Sequence, residues 1–176
     1  MNKNKVVSEI LSWTKHIAIA VVCGLIINYT LVASALVVSS SMENTIMTDS
    51  RVMGLRVAYL INEPDRFDII LFQPPDDAAS MPYVKRIIGL PNEKVEIIDG
   101  KVYIDDSEIP LDDSFTKEEM RGNYGPYFVP AGSYFVLGDN RNGSQDSRYW
   151  ANAFVPRDNI IGKLYIELYP SPHILD

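Results

Sequence analysis

Val95–Ile104, reading VEIIDGKVYI, decides the fold class. Two runs rich in Val, Ile and Tyr flank Asp99-Gly100, the pair that supplies positive φ for a two-residue hairpin turn. Outward from this hairpin, whose strands are read as Lys94–Ile98 and Lys101–Ile104, similar short apolar runs occur at Val52–Leu60, Asp68–Phe72, Tyr83–Ile88, Ser133–Leu137 and Ile160–Tyr169. Their Val, Ile, Tyr and Phe content is what strand surfaces favour, and most of the 11 prolines fall between them. No helical period of useful length follows residue 38, so residues 39–176 are expected to form a mainly β, antiparallel domain. Asp105–Pro126, polar and acidic with only Phe115 and Met120 as large apolar residues near its centre, reads as a flexible insertion.

The other decisive stretch is Ile17–Val38, IAIAVVCGLIINYTLVASALVV, which carries no charge. As a helix it would be about 33 Å long, enough to cross a hydrocarbon core of about 30 Å. A buried core helix and a cleavable signal peptide are the competing readings. The run exceeds the usual 7–15 residues of a signal-peptide core, which favours a retained anchor. Lys3, Lys5 and Lys15 all precede it, which puts residues 1–16 in the cytoplasm, residues 17–38 in the cell membrane and residues 39–176 outside as a single-pass protein.

Composition bounds the function. With 47% hydrophobic and 22% charged residues the chain is that of a folded protein. The net charge is −7, and residues 39–176 alone carry −9, a surface that would repel phosphate backbones and so disfavours nucleic acid. The single cysteine, Cys23, lies in the apolar run, leaving no disulfide and no thiolate metal site.

Elimination narrows the chemistry. His16 and His173 are the only histidines, and His173 reads as part of an unanchored tail, a poor place for the base of a Ser-His-Asp triad or for a zinc ligand. Paired carboxylates stay open, since many acids are available but none sits in an obviously apolar setting. Serine or threonine with lysine as base remains. Such a lysine must be neutral, which burial achieves by lowering its pKa about 2–3 pH units from about 10.4. Lys94 and Lys101 flank the hairpin, Lys117 lies in a charge run, and alternation puts Lys163 on the face of Glu167, where it would stay charged. Lys85 alternates with Tyr83 and Ile87 and is the one lysine expected among apolar neighbours, although a strand lysine is ordinarily an edge charge. Ser39-Ser40-Ser41, directly after the apolar run, reads either as a linker or as a nucleophile close to the bilayer.

Four segments in order resemble the signature boxes of bacterial type I signal peptidases, in the Gram-positive-like form with a single N-terminal anchor. They are Ser41–Ile46 (SMENTI), Arg66–Phe72 (RFDIILF), Tyr83–Pro91 (YVKRIIGLP) and Gly138–Arg148 (GDNRNGSQDSR). The resemblance implies the family's antiparallel β-sheet domain and a serine endopeptidase that removes signal peptides from exported preproteins through an acyl-enzyme. It implies Ser41 as nucleophile, Lys85 as general base, Ser144 as the hydroxyl that orients the lysine, and an oxyanion hole from the Ser41 N–H with Ser39. It further implies ion pairs of Arg86 with Asp139 and of Asp146 with Arg148 beside the site, and small residues of the substrate in two pockets. Met42, Ile69 and Ile87 are the expected pocket walls. No metal and no organic cofactor are implied; the partners are signal peptides, the lipid bilayer and the secretion translocon.

Three residues depart from the family pattern. Asn44 replaces a proline, which should loosen the loop after the nucleophile. Asn92-Glu93 replaces Gly-Asp, with Asn able to adopt the left-handed conformation and Glu keeping the charge. Ile46 replaces leucine. The rival readings are a self-cleaving repressor with the same Ser–Lys chemistry, which lacks support from the acidic surface and the apolar run, and a catalytically silent, membrane-tethered assembly factor for surface proteins such as pilins. Retention of both Ser41 and Lys85 favours an active enzyme.

Overall fold

The computed structural model describes residues 3–60, 62–76 and 80–175, and the chain divides into two units at Val32–Ala33. In the first unit, α1 (Lys3–Leu31) is continuous. Its Leu11–Leu31 portion, of mean hydropathy 1.5, is the one stretch among the described residues long and apolar enough to cross a membrane. The Thr30 hydroxyl donates to the Ile26 carbonyl, so this polar group is satisfied within the helix.

The helix read to Val38 ends seven residues earlier. Val32–Leu36 is a strand, β1, beside β2 (Arg51–Leu55). Tertiary packing overrides the apolar continuity of the sequence here. The extended backbone buries Ala33 completely and sets it with Val37 in a core cluster containing Met42, Ile46, Val52 and Leu164. The run expected as a strand over Val52–Leu60 is likewise cut short, because Arg56–Tyr59 forms a 3₁₀ turn. That turn sends Tyr59 inward, where its hydroxyl donates to Asp68 at 2.7 Å.

The second unit holds β3 (Ile69–Phe72), β4 (Tyr83–Gly89), β5 (Lys94–Ile98), β6 (Lys101–Ile104), β7 (Tyr124–Phe128), β8 (Ser133–Leu137), β9 (Val155–Pro156), β10 (Ile160–Tyr169) and β11 (His173–Ile174). A mainly antiparallel sheet runs β1-β2-β10-β3-β4-β8-β9, with β11 added to β10, and a smaller sheet runs β6-β5-β7. Strand β4 lies in the interior of the large sheet, and all of its residues after Tyr83 are buried. Lys85 and Arg86 are therefore not edge charges: Lys85 pairs with Ile70 of β3, and Arg86 lies between Ile69 of β3 and Leu137 of β8. Lys163 keeps a carboxylate partner, but it is Asp68 rather than Glu167.

The hairpin forms as read, with Val95 opposite Ile104 and Ile98 opposite Lys101. Asp99 and Gly100 take φ of 48° and 76°. The segment 105–126, expected to be flexible, is packed down. Met120 is buried and Phe115 half-buried against a cluster that includes Val95, Phe135 and Phe67, and Tyr124 begins β7, paired to β5. A few aromatic contacts replace the apolar density that the sequence lacks there.

A Cβ on Gly100 would lie 2.0 Å from the Met120 carbonyl oxygen while the backbone held a left-handed φ. Gly100→Ala should therefore cost about 1–3 kcal/mol of stability, seen as a lowered Tm of the detergent-solubilised protein.

Candidate active site

Ser41 sits in a 3₁₀ turn, Ser40–Met42, entered from an extended Ser39. The turn is gripped from the far side of the sequence: the Asn140 N–H donates to the Ser41 carbonyl at 3.1 Å and the Asn140 amide to the Ser40 carbonyl at 3.0 Å. Met42 is fully buried beneath it. The Ser39 and Ser41 hydroxyl oxygens are 3.2 Å apart. Beyond the turn, Asn44 has φ of 87°, a value proline cannot reach because its ring fixes φ near −65°. The loop adopts a turn that a proline at this position would not allow. It reverses through a left-handed asparagine and is closed by the Thr45 and Ile46 N–H groups, both donating to the Met42 carbonyl. Asn92 likewise takes a φ of 69°, and Glu93 pairs with Arg66.

Lys85 is 4% exposed. Burial pulls its pKa down from 10.5 to about 8; Asp146 and Asp139 oppose the shift and Arg148 reinforces it. Both carboxylates are committed elsewhere. Asp139 accepts from Arg86 Nε at 2.9 Å and Nη2 at 2.8 Å, and from Thr45 Oγ1 at 2.5 Å. Asp146 accepts from Arg148 Nε and Nη2, each at 2.8 Å, and from the Gly138 N–H at 3.1 Å. Arg86 also donates to the Phe67 carbonyl, and its guanidinium lies 4.2 Å from the centre of the Phe115 ring. Arg141 is buried as well and pairs with Asp113 at 2.7 Å, so the segment expected to be a loose insertion covers the charged scaffold.

Gly138 separates Ser144 from the Ser41 turn. A Cβ there would stand 2.3 Å from Ser144 Oγ and 2.4 Å from the Ser41 carbonyl oxygen. Ser144 Oγ is buried and has no hydrogen-bond partner among the described residues. Ser39, Ser41 and Lys85 line one cleft of about 270 Å³, whose other walls include Ala35, Leu36, Met81, Tyr83 and Gln145. Among the described residues no hydrogen bond joins Ser41 to Lys85; catalytic contacts are often long until substrate tightens them.

Residues 10–169 match the family described as "Signal peptidase, peptidase S26". The chain belongs to that family. It is 37% identical over 140 residues to the probable signal peptidase I-2 of Synechocystis, covering 77% of this chain and 62% of that protein's length. It is 35% identical over 169 residues to the signal peptidase I of Leptolyngbya laminosa, covering 93% of this chain and 81% of the relative. A crystal structure of a signal peptidase I from Enterococcus faecalis aligns with 58% of this chain and 97% of its own at 35% identity, with a TM-score of 0.49.

The structure brings together most of the residues singled out in this signal peptidase sequence. Ser39, Ser41 and Lys85 share the cleft, Ser144 lies across Gly138 from Ser41, and the pairs Arg86–Asp139 and Asp146–Arg148 lie beside them. Met42, Ile69 and Ile87 do not line the cleft. Met42 and Ile69 belong to one core cluster and Ile87 to another. Three contributors went unassigned from the sequence: Asn140 gripping the Ser41 turn, Gly138 as spacer, and Gln145 on the cleft wall. All three stand in the GDNRNGSQDSR box, but only the folded register reveals what each touches. His173 is not on a free tail either; it belongs to β11, and its Nε2 lies 3.3 Å from the Thr45 carbonyl.

Gly138→Ala should displace either Ser144 or the Ser41 turn, since neither partner of the added methyl is the far end of a flexible side chain. Peptide cleavage by the purified variant should fall at least 10²-fold, the scale expected for misplacing a reacting group by about 1 Å.

Proposed function

We propose that this chain is a membrane-anchored serine endopeptidase that removes signal peptides from exported preproteins through a Ser41–Lys85 dyad. Kinship with signal peptidases supports the substrate class, and the apolar α1 supports the anchor. The observation that carries the chemistry is Lys85: a lysine buried in an interior strand, its pKa drawn to about 8, opening into the same cleft as a serine held in a tight turn. In this reading neutral Lys85 takes the proton of Ser41 as Oγ attacks the scissile carbonyl, then returns it to the leaving amine. It next deprotonates the water that releases the acyl group. Ser144 steadies the amine, and the Ser41 N–H with the Ser39 hydroxyl receives the oxyanion. The 3.2 Å separation of the Ser39 and Ser41 hydroxyl oxygens supports that donor role, since it places the Ser39 hydroxyl beside the attacking oxygen. Extended substrate would lie along the Leu36–Ser39 and Met81–Val84 segments of the cleft as an added strand. Within α1, Lys3, Lys5 and Lys15 outnumber Glu9 and all precede the uncharged run from Ile17, which supports a cytoplasmic N-terminus with the β domain outside.

Ser41 and Lys85 in one cleft, with the buried Ser144 hydroxyl nearby across Gly138, support an active enzyme over a silent assembly factor. Ser41→Ala and Lys85→Arg should both abolish cleavage of a preprotein by the full-length protein in detergent, arginine failing because it gives up no proton in the working range. The base must be deprotonated, so kcat/KM should rise with pH and level off above about 8, where the folded-state lysine has lost its proton. Lys85→Arg activity above a tenth of wild type would exclude Lys85 as base. Ser39→Ala should lower kcat about 10²–10³-fold with KM little changed, the signature of a donor used in the transition state.

A further inference from the structure

The last residues of the chain do something that the catalytic reading leaves unused. Strand β11 pairs with β10, Glu167 opposite His173 and Ile166 opposite Ile174, and the Leu175 N–H donates to the Tyr165 carbonyl at 2.9 Å. The Leu175 side chain is 7% exposed and belongs to the cluster that holds Met42 and Ile46, the residues one and five positions beyond Ser41. With Leu175 so seated, the two nitrogens of the His173 ring face two backbone carbonyls. Its Nδ1 lies 2.7 Å from the Ser171 carbonyl and its Nε2 3.3 Å from the Thr45 carbonyl. Carbonyl oxygens only accept, so a neutral ring, with a single N–H, bonds one of them at a time, and the tautomer protonated at Nε2 is the one that donates to Thr45. Thr45 is then held at all its polar groups: its N–H by Met42, its hydroxyl by Asp139 and its carbonyl by a segment 128 residues away.

We propose that the C-terminal strand is a positioning element for the nucleophile turn, with Leu175 as its anchor and His173 as its tether. The inference rests on the Ser–Lys reading of this site. His173 is not itself a base for Ser41, because its nitrogens face the Thr45 and Ser171 carbonyls. It acts through Thr45, limiting the drift of the loop that fixes Ser41 against Gly138 and Lys85.

The test uses the full-length protein in detergent. His173→Ala should lower kcat for preprotein cleavage by about 3–10-fold, a fraction of what a full 1 Å misplacement costs, with KM and Tm unchanged. His173→Gln, whose side-chain amide can donate to the same carbonyl, should recover most of the loss. Backbone amide exchange at Thr45 and Ile46 should quicken in His173→Ala and return towards wild type in His173→Gln, a readout independent of enzyme activity. An unchanged kcat together with unchanged exchange in His173→Ala would overturn the tether while the active wild type left the Ser–Lys reading standing. A kcat loss that tracks a fall in Tm and is not restored by glutamine would also overturn it, by reducing the strand to bulk stability. A wild-type chain that cleaves no preprotein would instead overturn the catalytic reading.

Discussion

The carboxylate of Asp139 joins the three segments from which the site is made. One oxygen or both accept from Arg86, the neighbour of Lys85 on β4, and the same group accepts from Thr45, four residues past Ser41. Asp139 itself follows β8, in the segment that also carries Ser144. Buried ion pairs of this kind add little net stability, because desolvation offsets most of the attraction, but removing one partner strands the other at a cost of about 3–5 kcal/mol. What the pair contributes is registry. Slide β4 against the segment of Asp139 and a charge is left alone in the interior; slide the segment of Thr45 and the carboxylate loses a hydroxyl donor.

The electrostatics around Lys85 follow from the same arrangement. Two acids and Arg148 act on it, with the acids favouring the ammonium and the arginine opposing it. Each acid is already saturated by an arginine fork, so the pull of the carboxylates is largely spent and desolvation decides the outcome. An unpaired Asp139 or Asp146 beside the amine would hold the proton on it more tightly. The ion pairs thus let burial lower the Lys85 pKa to about 8, even though neither touches the serine.

Much of this was legible in the sequence. The hairpin strands, β8 and β10 begin and end where the apolar runs do, and the Lys85 environment follows from its apolar neighbours. The misreadings share a cause. Alternation presumes one wet face, and β4 has none beyond Tyr83, so Arg86 is as buried as Ile88. Apolar continuity presumes one conformation, yet Val32–Leu36 leaves the helix to complete a sheet edge. Segment 105–126 has only Ile109 and Leu111 as aliphatic residues, so its packing through Phe115 on Arg86 and Asp113 on Arg141 is written in partners distant in the chain. His173 was dismissed for the same reason, its contact being made across 128 residues.

The contrast between Gly138 and the cleft walls divides the molecule into parts with different freedom to change over evolution. At Gly138 even one methyl group meets both Ser144 and Ser41, and each buried charge near it answers to another, so drift there requires several simultaneous replacements. The walls at Leu36, Met81 and Gln145 are exposed and belong to none of the interlocking ion pairs. Substitutions at those positions carry little penalty for the fold, so descendants of this sequence can explore new peptide preferences one residue at a time while the chemistry beneath stays fixed.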